Sequence, residues 1–289
     1  MSDAFIPFDA TLEEVEQRGV LRGGVPATMR PLLVKWLLGR HPRTSIYPRA
    51  QRFHEISNEL DIDFGVSSLN LGHMNETAAI QVYASLTERD LLRVVDFCLH
   101  EAGRQHGVAS QVEKILKSGR SKWTPVLRED RYRLGERVPD GVQVSAESVM
   151  GSAGVAGSLV RQAWEKVHDL ESDDSGAYSR AVKAVETAAL EALDITKDTA
   201  TLSDAIRAIE ARDSTWRLPF QREHTEYPSK DVLLGLMKSL YRGQRDRHGS
   251  DSYADVTHEE AEAAVLMAVT LVGLFSAGLV AERDTEAFR

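Results

Sequence analysis

"VTHEEAEAAVLMAVTLVGLFSAG", residues 256–278, decides how the chain is read. Thr257 and Glu260 stand at the spacing of a capping box, in which a hydroxyl and a carboxylate satisfy free N–H groups at the start of a helix. After Ala263 the stretch is apolar around nearly its whole circumference. A helix over 257–279 therefore belongs at the centre of a bundle, or is shared with a second subunit. Upstream, "YSRAVKAVETAALEAL" (178–193, within an expected helix 175–194) aligns Tyr178, Ala181, Val182, Val185, Ala188, Ala189 and Leu193 as a stripe of mostly small residues that admits a neighbour at close range. Further helices are expected over 145–171, 201–212 and 229–247, the last opened by Ser229. No strand signal falls among them, so residues 145–289 read as an all-α helical bundle domain.

The first half is also mainly helical. "TMRPLLVKWLLG" (28–39) has Thr28 as a cap, an early Pro31 and a stop at Gly39, and "TERDLLRVVDFCLHEAG" (87–103) runs from Thr87 to Gly103 with Leu91, Val94, Val95, Cys98 and Leu99 on one face. "SQVEKILKSG" (110–119) is a shorter helix. "SKWTPVLREDRYRLGERV" (121–138) reads instead as a β-hairpin, with strands over 121–127 and 131–138 and a polar turn at Arg128, Glu129 and Asp130. A boundary follows between 139 and 150, which divides the chain into a helical N-terminal domain with one hairpin, 1–144, and the helical bundle, 145–289.

Composition narrows the class. The 289 residues are 42% apolar and 27% charged, the balance of a globular protein with a real core. The one cysteine, Cys98, lies in an apolar run, which excludes an intramolecular disulfide and suits packing in a reducing cytosol. No window approaches the roughly 18 apolar residues of a membrane span, and the first residues are acidic, so a soluble cytoplasmic protein without membrane contact is expected. The net charge of −9 lies in the second half, where residues 145–289 hold 16 Lys/Arg against 25 Asp/Glu, while residues 1–144 hold 19 of each. Residues 17–54 carry eight Lys/Arg and no acid, interleaved with Trp36, Tyr47 and Phe53. Arg40, Arg43 and Arg49 of that segment are candidate nucleic-acid contacts; the alternative is a basic face docked on acidic protein surface.

Several catalytic patterns are excluded. "GGVP" (23–26) lacks the lysine and serine of a phosphate loop, and "HEAGRQH" (100–106) sets its histidines six apart, where a zinc-protease helix needs four. No metal or cofactor is expected. One cluster stands out: "YRGQRDRH" (241–248) gathers Arg242, Arg245, Arg247 and His248 towards the end of the 229–247 helix. Cations there complement the helix dipole, and nearby Asp246, Asp251 and Asp255 offer carboxylate partners. Helical phase leaves the pairing open. Six residues advance about 600°, so Arg242 lies about 120° from the face of His248, whereas Arg245 lies nearly above it.

An arginine followed after five residues by a histidine, at the end of one helix of a small bundle, resembles the ribonuclease motif of HEPN domains. In their order, "AYSRAVKAVETAALEAL", "TATLSDAIRAIE", "RDRHGSD" and "THEEAEAAVLMAVTLVGLFSAG" are similar to the C-terminal domain of abortive-infection (Abi-type) phage-defence proteins over roughly residues 155–280. "ERDLLRVVDFCL" and "SKWTPVLREDRYRLGERV" resemble more loosely the N-terminal domain of such proteins. The resemblance implies a metal-independent, toxin-type endoribonuclease, antiviral in role, acting as a homodimer whose two Arg/His motifs face each other. His248 and Arg242 or Arg245 would be catalytic, with Arg247 on phosphate and Glu186 behind His248. Gly243 departs from the pattern, which commonly has a polar side chain there. The alternative is a non-catalytic HEPN-like dimer that binds RNA, or a regulatory or phage protein, in defence or immunity.

Overall fold

The computed structural model describes residues 11, 20–41, 47–65, 74–220, 222–243 and 255–283. They form a mainly helical protein that divides into two compact units, residues 1–137 and 138–289. The division falls just ahead of "PDGVQ", where Pro139 precedes the first helix of the second unit.

Five helices of the first unit are described: α1 (Arg30–Leu38), α2 (Tyr47–Leu60), α3 (Glu76–Ser85), α4 (Glu88–Ala102) and α5 (His106–Ser118), followed by β1 (Trp123–Arg128) and β2 (Arg131–Glu136). Helix α4 forms where its caps place it. The Thr87 hydroxyl accepts the Asp90 N–H at 3.1 Å, and Gly103 ends it at a positive φ of 59°. Helix α1 is capped by Met29, not Thr28, and Pro31 sits in its first turn, where a missing N–H costs nothing. The hairpin pairs Trp123 with Glu136 through to Arg128 with Arg131, and its turn is tightened by Glu129 at φ 51°. It is held to the helices by buried charge. Asp96 of α4, 7% exposed, accepts from the Leu134 N–H at 2.6 Å and from Arg133 Nε at 2.9 Å. Arg137 reaches Glu113 of α5 through both terminal nitrogens. Beside them Phe53, Phe64, Tyr83 and His41 form an aromatic cluster in which His41 Nε2 and the buried Tyr83 hydroxyl lie 2.8 Å apart.

The second unit contains α6 (Asp140–Ser152), α7 (Gly154–Val167), α8 (Asp174–Ala192), α9 (Leu202–Glu210), α10 (Ser229–Gly243) and α11 (His258–Ser276). The single helix expected over 145–171 is two. The chain breaks at Ala153, and Gly154 takes a φ of 53°. A side chain on Gly157 would lie 2.7 Å from the Val149 carbonyl oxygen, so the "GSAGVAG" run is what allows α7 to fold back on α6. Helix α8 is the centre of the bundle, packed against α7, α9 and α11 through Ala181, Ala184, Val185, Ala188 and Ala189, all at most 4% exposed. Helix α11 has its capping box, with Thr257 Oγ1 accepting from Glu260 N and Glu260 accepting from Thr257 N. Its neighbours α6, α7, α8 and α10 bury Ala261, Ala264, Val265, Ala268, Val269, Leu271, Val272 and Phe275. The bundle therefore covers more of α11 than its composition alone predicts, leaving an exposed stripe of Glu259, Ala263, Leu266 and Thr270. A two-residue pairing of β3 (Trp216–Arg217) with β4 (Ala281–Glu282) corrects the expectation of an all-helical half. Among the described residues, no helix is long and apolar enough to cross a membrane.

Candidate functional site

Helix α10 delivers the first part of the "YRGQRDRH" cluster. Its start is held by Glu223, whose carboxylate accepts the Ser229 N–H at 2.6 Å, and Leu233, Leu234, Met237 and Leu240 bury its inner face. At the other end, Tyr178 of α8 donates its hydroxyl proton to the Leu240 carbonyl at 2.9 Å. That tyrosine is only 4% exposed, and a Cβ placed on Gly243 would stand 2.5 Å from its oxygen. Gly243, the departure from the resembled pattern, therefore has a packing role: a side chain there would press on the Tyr178 hydroxyl and force it to shift. Arg242 lies exposed in the same last turn, a cation at the negative end of the helix dipole. Its charge reaches the end of α9. Lys238, bonded to Glu210 at 2.6 Å, and then Arg242 and Lys230 hold the Glu210 carboxyl below its ordinary range.

Helix α11 begins at the same end of α8. Nδ1 of His258, the first residue of α11, lies 3.0 Å from Oδ1 of Asp174 in the first turn of α8. Asp174 and Tyr178 are four residues apart and share one face of α8, one turn from each other. The last turn of α10 and the first turn of α11 are therefore both fastened to the opening turns of α8. Asp173, the cap of α8, accepts from Gly176 N at 2.9 Å and pairs with Lys166; those two bonds, Lys166 foremost, hold its carboxyl below the usual range. No local pattern in the sequence marks His258. It follows a cap residue and precedes two glutamates, and its partner stands 84 positions upstream.

Comparison with known proteins returns nothing. No family model matches the chain, and no curated protein and no solved structure is significantly similar to it.

Arg245, Arg247 and His248 lie outside the described residues, as do residues 244–247 of the expected 229–247 helix. Glu186 is described, and it acts locally. Its carboxylate accepts the Leu202 N–H at 2.8 Å, at the start of α9. It stands eight residues beyond Tyr178, about 12 Å further along α8.

In the first unit, Arg40 sets its guanidinium 5.6 Å from the Trp36 ring centre, while Arg49 falls in the first turn of α2 and Arg43 lies outside the described residues. Other cations of the basic segment serve their own unit. Arg30 donates to the Leu86 carbonyl at 2.8 Å, and Arg52 pairs with Glu101 and Glu55. Arg40, Arg52, Glu55, Cys98, Glu101, Ala102 and Gln105 line a cavity of about 300 Å³ whose charges balance. The Cys98 thiol in its wall is pushed up to about 11 by burial, against the opposing pull of the Arg52 guanidinium. Among the described residues, no group of three or more His, Cys, Asp or Glu side chains is placed to hold a metal ion.

Proposed function

We propose that the chain is a metal-independent endoribonuclease of the abortive-infection, toxin type, cytoplasmic and active as a homodimer. One observation carries the reading. Arg242 stands exposed in a last helical turn that Tyr178 bonds to the bundle core, and the chain runs from there directly into "QRDRH". A guanidinium carried on the end of a packed helix can hold the doubled negative charge of a pentacoordinate phosphorane through charge-assisted hydrogen bonds. His248 supplies proton transfer, in the pH range where an ordinary imidazole titrates, near about 6.5. The ribose O2′ loses its proton as it attacks phosphorus, the P–O5′ bond breaks, and O5′ leaves protonated. The products are a 2′,3′-cyclic phosphate and a 5′-hydroxyl. Arg245 takes the phosphate role in place of Arg242 if the helix continues regularly beyond Gly243, and Arg247 contacts phosphate beside it. The second subunit would meet this end of the bundle along the exposed stripe of α11, where Leu266 keeps 37% of its surface. Arg40, Arg43 and Arg49 would hold RNA from the first unit.

The test is incubation of total tRNA and messenger RNA with the purified protein in excess EDTA, with the cut ends assayed for cyclic phosphate. Cleavage to cyclic ends is expected. A requirement for Mg²⁺ discards the mechanism, and silence across a broad RNA panel assigns the fold to a binding module instead.

A further inference from the structure

We propose that the cavity lined by Arg40, α2 and α4 of the first unit binds a small zwitterion of the amino-acid class, its carboxylate on Arg40 and its ammonium on Glu55. The cavity, about 300 Å³ and at the small end of ligand sites, lies wholly within that unit, and four charged side chains line it: Arg40, Arg52, Glu55 and Glu101. Two of the four are spent on each other. Arg52 donates to Glu101 through both terminal nitrogens, Nη1 to Oε1 at 3.0 Å and Nη2 to Oε2, a bidentate pair of the strong kind. A single long contact, 3.5 Å from Nη1 to Oε2, joins Arg52 to Glu55, whose other oxygen accepts from Gln51 Nε2 at 3.1 Å. Glu101 therefore neutralises Arg52, and Glu55, with half of its side chain exposed, keeps its charge. Arg40 is the fourth. Among the described residues no carboxylate stands within ion-pair distance of it; its guanidinium lies 5.6 Å from the Trp36 ring centre, and its Nε is buried with no hydrogen-bond partner. A buried donor left without an acceptor costs free energy, which a bound anion would offset.

The wall thus presents one cation and one anion that are not paired with each other, and charge complementarity decides the ligand. A bare anion drawn to Arg40 would meet the carboxylates of Glu55 and Glu101, and a bare amine drawn to Glu55 would meet two guanidiniums; like charges so placed are costly. A zwitterion meets an opposite charge at each end. The rest of the lining adds no net charge. Gln105 offers an amide, Ala102 a methyl group, and the Cys98 thiol, pushed up to about 11 by burial, stays protonated at neutral pH. The inference stands apart from the ribonuclease reading: it takes Arg40 as a contact for a small molecule, leaves RNA to Arg43 and Arg49, and its test involves no cleavage.

The test is the thermal shift of the full chain with each common L-amino acid at about 10 mM, followed by calorimetric titration of those that raise Tm. At least one is expected to bind. The amine and the 2-oxo acid that correspond to it carry one charge each, and both should bind at least about 10-fold more weakly. Arg40→Gln removes no hydrogen bond and no ion pair, so the fold is kept, and affinity should drop about 10-fold or more; Glu55→Gln should do the same, and Arg40→Lys should retain part of the binding. A panel in which no amino acid stabilises or titrates the protein overturns the proposal. Equal affinity for the amine or the 2-oxo acid overturns it too, as does wild-type affinity in Arg40→Gln.

Discussion

Replacing Gly243 with alanine tests whether the end of α10 is held as described. The new methyl would stand 2.5 Å from the Tyr178 hydroxyl oxygen, and an ordinary contact of about 3.5 Å requires that oxygen to move by about 1 Å. The ring has little room, since Tyr178 is 4% exposed, and the movement breaks its 2.9 Å bond to the Leu240 carbonyl. Losing a hydrogen bond at a buried site costs about 1–3 kcal/mol, while alanine in place of glycine in a helix contributes up to about 1 kcal/mol the other way. Gly243→Ala should therefore destabilise the wild type by about 1–2 kcal/mol. In a Tyr178→Phe background the obstructing oxygen is gone, and the same change should be neutral or stabilising. Urea unfolding of the two single variants and the double variant, followed by far-UV circular dichroism, measures the coupling, expected to be at least about 1 kcal/mol. An equal cost of Gly243→Ala in both backgrounds would show that the Tyr178 hydroxyl does not limit position 243.

Glu186→Ala should lower stability by about 0.5–1 kcal/mol through the unsupported start of α9, with RNA cleavage unchanged; a large loss of cleavage at intact stability would return Glu186 to the site. Because the buried Cys98 thiol is pushed up to about 11, the folded chain keeps a proton that the unfolded chain gives up near pH 9. Wild-type stability should consequently fall between about pH 9 and 11 by more than that of Cys98→Ala, and matching slopes would contradict the burial argument. Sedimentation at micromolar concentration should show a dimer of the 32.0 kDa chain that Leu266→Arg splits, and a clean wild-type monomer would remove the shared interface.

Much of this fold is legible along the sequence because its helices announce their ends. Thr87 and Gly103 bracket α4, Thr257 and Glu260 open α11, and the alternation around "RED" marks the hairpin. The break between α6 and α7 is hidden because apolar periodicity runs through it; its signal is the glycine spacing of "GSAGVAG", whose meaning depends on a carbonyl of the preceding helix. The site is harder to read for the same reason. Arg242 is visible as a cation at a helix end, but Gly243 makes sense only beside Tyr178, and His258 only beside Asp174, partners brought together by the bundle and far apart in the chain. Glu186, a carboxylate on the helix expected to carry a chemical role, accepts the first N–H of the next helix, a partner sixteen positions away that local spacing does not announce.

Whether the chain cuts RNA by this chemistry is decided by His248→Ala in the cleavage assay with EDTA present. The variant should fold and dimerise as the wild type does and lose RNA cleavage by roughly 10²-fold or more, with Arg242→Ala or Arg245→Ala, whichever holds the phosphate, failing alongside it. Cyclic-phosphate ends produced at the wild-type rate by His248→Ala would exclude His248 from the chemistry.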